Sequence, residues 1–423
     1  MRRTIITGGL FFLGLAVLFG FSEPAEAIPA FARKYQTSCA TCHAAFPKLN
    51  AFGQAFRRLG YHFPEGQDAE MVKEKPVSLG AESYKRVWPQ AIWPADIPGS
   101  APIAVLLESE ITVNSEADQS NVDFSNMMEE MELLTGGTIG DDINFLTSLS
   151  AGEEGVEIEM GALGFYNILP HAQLNLKIGQ LPPEVLFVTN HRRFGPPFWI
   201  TSKTVGDNAW SLEESQKGFE ANGILGNGRL AYDVGLVEGR GNIQNAFKEP
   251  YVHLAYKFGG LPYNGVRENM QGPSQVAWGD NSLQAGGFLY IGKAELQQDF
   301  EDPFQLYGVD IDANFQNLKV VGGIAQRKDK QPFLSDPGSD ATTHIFYAEG
   351  DYMLYPWLIP MVRYEQFAVN QNGLEYRNDS RIVGSFQALV RANLRAFLSL
   401  EMEKGAGEGF DLGETELGLQ VGF

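Results

Sequence analysis

The 423-residue sequence carries 52 acidic against 32 basic side chains, a formal charge of −20. That excess argues against nucleic acid and anionic lipid surfaces as partners and suits metal cations or basic proteins. The sequence has one long uncharged apolar stretch, near its start, so a helical membrane protein is excluded; a membrane β-barrel, whose strands alternate, is not.

In chain order, Arg2 and Arg3 lead into an apolar run over residues 5–21, and Ala25-Glu26-Ala27 supplies a small-x-small cleavage pattern. Together they predict a removable secretory signal over residues 1–27, a mature chain starting near Ile28, and a location outside the cytoplasm. The run is short for a bilayer span of about 20 residues, which sets a retained anchor aside. Two residues of each sign leave with the signal, so the charge balance is unchanged.

Cys39 and Cys42 are the only cysteines, and His43 follows directly. C-x-x-C-H is the pattern for covalent attachment of heme c: two thiols add across the two vinyl groups, and the next residue places an imidazole on the iron. A redox dithiol asks for a thioredoxin-like βαβ context, which is missing. A zinc site asks for two further ligands at zinc spacing, and none lies nearby. A Cys39–Cys42 disulfide closes too small a loop to matter. The motif therefore predicts one covalent heme held by Cys39 and Cys42, with His43 on its iron.

Pro47, followed by Leu49, Phe52, Phe56 and Leu59 at helical spacing and by Gly60, predicts a helix over 47–59. Residues 28–75 form a segment too small to wrap a heme alone, so the rest of the chain is expected to complete the surroundings. The sixth ligand is open. Met71 has chain enough to reach back, and a thioether raises the heme potential. His62, three residues past the helix, is the alternative, and Met127, Met128, Met131 and Met160 are further candidates.

Residues 65–74 read as a charged loop, and residues 76–423 as β. Alternation marks Ala172 to Ile178, Tyr307 to Phe315 and Leu394 to Met402, the last broken on its polar side by Phe397, between turns at Gly226-Asn227-Gly228, Gln316-Asn317 and Tyr355-Pro356. About 340 residues without a domain break exceed the size of a soluble sandwich and suit a transmembrane antiparallel barrel of about 16 strands. Polar stretches 190–216, 262–282, 327–342 and 370–379 are expected as outer loops, and Trp199, Trp210, Trp357 and Tyr364 as interface aromatics. The chain closes on an alternating strand ending at Phe423. A soluble β-solenoid or sandwich is the competing architecture. His171, His191, His253 and His344 show no metal-ligand spacing, and the pairs Asp141-Asp142 and Glu153-Glu154 read as solvated charge.

The string Ile28-Pro29-Ala30-Phe31-Ala32-Arg33, the heme motif, and Phe46-Pro47-Lys48-Leu49-Asn50-Ala51-Phe52-Gly53 with Gly60-Tyr61 resemble the fused cytochrome–porin family. Members join a monoheme cytochrome segment to an outer-membrane barrel, and the best-known oxidise iron. The resemblance implies an outer-membrane protein, in contact with its lipid, that passes electrons from an extracellular donor such as Fe(II) to a periplasmic electron carrier. Two other functions compete: a soluble periplasmic heme protein, a peroxidase or sensor, and a porin in which the heme segment is only a plug.

Overall fold

A computed structural model describes residues 30–422 except 76, 78–85, 88, 91–96, 100, 117–118, 126, 128–129, 153–154, 190–191, 213–214, 240–247, 267–279, 298–299 and 405–408. The expected signal, Met128, His191, Glu153-Glu154 and Phe423 lie outside the described residues, as does most of 262–282.

Strand alternation decides the architecture. Along Glu249–Gly259, His253, Ala255 and Lys257 are buried while Leu254, Tyr256 and Phe258 are exposed. Along Phe300–Phe315, Asp310 and Asp312 are buried and Val309 and Ile311 exposed. Burying charge and exposing hydrocarbon is the inverse of a soluble β-protein and the pattern of a membrane barrel with a polar lumen. The strands form one closed antiparallel barrel, in which the last, Asp411–Gly422, pairs with the first, Ile103–Glu116, through Leu417↔Ile111. Segments Gln119–Asp123 and Glu130–Ile139 pair with successive halves of Ile103–Glu116 and share one position, so the barrel has 16. Closure removes the edge strands that lipid could not satisfy. The expected fold class holds.

Several local expectations do not. Pro47 does not start a helix: it lies in the turn of a two-stranded ribbon, His43–Ala45 against Lys48–Leu49. The helix is Ala51–Arg58, because Asn50 caps it by accepting from Gly53 N–H at 2.9 Å. The 65–74 stretch is not wholly loop and contains a short helix, Asp68–Met71. Ala172 belongs to a turn with positive φ, and the strand starts at Leu174. Residues 370–379 are no long loop: strands Leu358–Gln371 and Leu374–Arg391 are joined by Asn372-Gly373, both with positive φ, the two-residue hairpin turn that this dipeptide favours. Trp199 and Trp210 are buried inside the barrel rather than girdling it, whereas Trp357 and Tyr364 are exposed.

The lumen is filled from both ends. Residues 30–75 form a plug at the end where the chain enters and leaves the barrel. Its contacts go round the wall: Lys34 Nζ to Thr138 Oγ1 at 2.9 Å, Arg58 Nη2 to Asp233 Oδ2 at 2.9 Å, and Lys48 Nζ to Glu349 and, at 2.6 Å, to Asp351. From the other end the connection 182–215, with its short helix Trp199–Ser202, folds inward. Arg363 holds it there by donating to Phe194 O at 2.8 Å and Pro196 O at 2.6 Å.

Candidate functional site

The Cys39–His43 motif is shaped by local hydrogen bonds. Ser38 caps a single 3-10 turn, Cys39–Thr41, and Cys42 N–H donates back to Cys39 O at 3.2 Å. Asn50 ties the motif to the following helix: its backbone N–H donates to Cys42 O at 2.9 Å and its side-chain amide to Thr41 O at 3.0 Å, while its Oδ1 makes the helix cap. The helix passes so close that a Cβ at Gly53 would lie 2.0 Å from Cys42 O.

His43 Nδ1 lies 3.2 Å from Pro47 O. A carbonyl only accepts, so Nδ1 carries the proton and Nε2 keeps its lone pair. Burial pushes this imidazole down to about 4, against the opposing pull of the Pro47 and Lys48 carbonyls. The ring is therefore neutral at physiological pH, the form that binds a metal. Both cysteines are free thiols. Burial raises both, and Cys42, beside Cys39, is pushed up to about 12. A redox dithiol needs the opposite shift. Among the described residues no group of three His, Cys, Asp or Glu side chains is placed to hold a metal ion.

Cys39, Cys42 and His43 line a cavity of about 790 Å³ inside the barrel. The plug supplies one side with Phe31, Phe46, Phe56 and Tyr61; the inward connection supplies Glu184, Arg192 and Pro196; the wall supplies Leu106, Leu134, Met160 and Phe397. The volume lies in the upper part of the usual range for ligand pockets, about 300–1,000 Å³. The lining is aromatic and aliphatic over the plug and mixed in charge elsewhere, where Arg193 and Arg395 stand among Glu108, Glu110, Glu132, Glu414 and Glu416; the two arginines are the groups that suit the carboxylate arms of an amphipathic macrocycle. Among the lining residues, Arg57 Nε, Asn144 Nδ2 and Arg395 Nε are buried nitrogens with no hydrogen-bond partner. The residues present fit a heme.

The other predicted residues scatter. Met71 ends the Asp68–Met71 helix, is exposed, and does not line the cavity. His62 Nδ1 bonds Asp68, whose Oδ1 also takes Phe63 N–H at 2.8 Å and the Tyr35 hydroxyl at 2.9 Å; it too stands off the cavity. Met127 and Met131 are exposed. His253 is buried against Asp310 at 3.1 Å. Sequence reasoning missed Asn50 and Gly53 as positioning residues, although N-x-x-G before an apolar stripe carried the capping signal.

Comparison with known proteins finds no matching family model, and no curated protein sequence matches either. Solved structures do match. The anion-selective porin from Comamonas acidovorans superposes with a TM-score of 0.55 at 13% identity, covering 77% of this chain and 99% of the porin. The fold is that of a porin. OmpF of Salmonella typhi, solved with daunomycin, is similar at a TM-score of 0.52 and 12% identity, over 76% of this chain and 97% of its own. The outer membrane channel DcaP of Acinetobacter baumannii matches at 0.52 and 11%, over 76% and 96%. About a quarter of this chain has no counterpart in these barrels.

Proposed function

We propose that this chain is an outer-membrane cytochrome that carries electrons from a donor outside the cell, Fe(II), to a periplasmic carrier protein. In this reading residues 1–27 are a cleaved export signal, 28–75 a single-heme segment and 76–423 the barrel that lipid surrounds. The observation that carries it is the placement of a C-x-x-C-H motif on a cavity that plug, inward connection and barrel wall line together. Cys39 and Cys42 would hold the heme by thioether bonds, and His43 Nε2, left free by the Nδ1 hydrogen bond to Pro47 O, would bind its iron. The heme supplies reversible one-electron chemistry; the plug fixes its position, and plug, wall and inward connection limit water around it. The charge of −20 supports a cationic donor, because a negative field raises its local concentration.

The test is heme absorbance after mixing the oxidised, detergent-solubilised protein with Fe(II). Reduction is expected in the wild type and not in His43→Ala, whose barrel remains folded. If Fe(II) never reduces the wild-type heme while an organic or protein donor does, the iron assignment fails and a general electron-transfer role stands.

A further inference from the structure

Among the residues lining the cavity, His43 is the one imidazole and Met160 the one thioether. They come from different parts of the chain: His43 from the plug, Met160 from the barrel strand Gly155–Leu169. The wall facing this cavity otherwise presents Glu108, Glu132, Glu414 and Glu416 alongside its aliphatic patch.

A fault in the strand aims it there. In the ladder with Ile143–Gly152, Ser148 pairs with Met160 and the next residue, Leu149, pairs with Ile158. Glu159 is therefore an extra residue, a β-bulge. In an unbroken strand Ile158 and Met160 share a face, because side chains alternate with period two. Here Ile158 is 58% exposed on the outer surface, like Val156 before it, whereas Met160 lines the lumen together with Ala162, Gly164 and Tyr166. Bulges re-aim side chains, often beside functional sites. Beyond it on the same face, Gly164 makes room for the side chains of Asn144 and Tyr166, which also line the cavity.

We propose that Met160 is the sixth ligand of the heme iron: the plug provides one axial ligand and the barrel wall the other. This rests on the reading of the cavity as a heme site. Met71, exposed outside the cavity, and His62, tied to Asp68, take no part in ligation. Iron ligation then requires the plug to be seated in the closed barrel, and thioether ligation raises the potential above that of a bis-imidazole heme.

The experiment compares the full chain in detergent with Met160→Leu, a swap that conserves volume, and with Met71→Leu. Denatured samples are stained for covalent heme, and folded samples are scanned for the long-wavelength charge-transfer band of a thioether on ferric heme. Reduced samples are titrated with carbon monoxide. The expected result is the band in wild type and Met71→Leu, its loss in Met160→Leu, and new carbon monoxide binding in Met160→Leu alone, with heme stain and heat-shifted barrel mobility unchanged in all three. A band that survives Met160→Leu, or that is missing from the wild type, overturns the proposal while leaving the heme reading intact. Absence of heme stain in the wild type overturns both.

Discussion

Gly53 stands where helix Ala51–Arg58 passes the Cys42 carbonyl, and a methyl group there would meet that oxygen at 2.0 Å. The obstacle is backbone, so relief must move either the helix or the motif. Gly53→Ala is expected to lower heme-stained protein several-fold relative to total barrel in an electrophoresis gel; equal staining would show that the close approach is not needed for attachment. Lys48 makes a second residue-scale prediction. Its ammonium is buried between Glu349 and Asp351; removing it leaves Glu349 its pair with Arg363 but takes from Asp351 its ion-pair partner, and breaking such a buried pair costs about 3–5 kcal/mol. Lys48→Met should therefore speed proteolysis of the plug in the folded barrel, with the barrel itself still protease-resistant. At this scale the sequence was partly legible. That Cys39, Cys42 and His43 stand together on one cavity could be read because they lie within five positions of the chain. The role of Gly53 depends on how a helix packs against the motif, and the direction of Met160 on a one-residue register fault; neither leaves a mark in local composition.

Among the elements, the connection 182–215 does most to shape the lumen, and Arg363 is its anchor. The guanidinium is fully buried, donates from Nε to Glu349 Oε2 at 2.7 Å, and holds two backbone carbonyls of the connection. Cutting this tie strands those carbonyls and loosens the element. Arg363→Met is expected to raise single-channel conductance in planar bilayers above that of the wild type; an unchanged trace would mean that other contacts suffice. Strands with strict alternation, such as Phe300–Phe315 over residues 309–312, were legible because one face meets lipid and the other the lumen. The hairpin at Asn372-Gly373 was misjudged because polar composition outweighed the specific turn dipeptide. The helix start was misplaced because Pro47 suits a ribbon turn as well as a first helical turn. The buried tryptophans were misplaced for a related reason: an aromatic in a connection belongs at the interface only if the connection stays outside, and this one folds in.

For the whole molecule, the charge of −20 and the closed wall make one prediction together. Fe(II) attracted by the field of the protein should reduce it more slowly as ionic strength rises, because salt screens charges beyond a Debye length of about 8 Å at 0.15 M. A rate independent of salt, measured by stopped-flow absorbance, would remove electrostatic capture from the account. The placement of the two thiols has a further consequence, for biogenesis. Cys39 and Cys42 face a space enclosed by strands whose first and last members meet only when Leu417 pairs with Ile111. On the proposed heme reading, the plug would have to receive its heme before it seats in the closed ring, where a heme-delivering protein could not follow it. A plug seated with bare thiols would then be beyond the reach of later maturation.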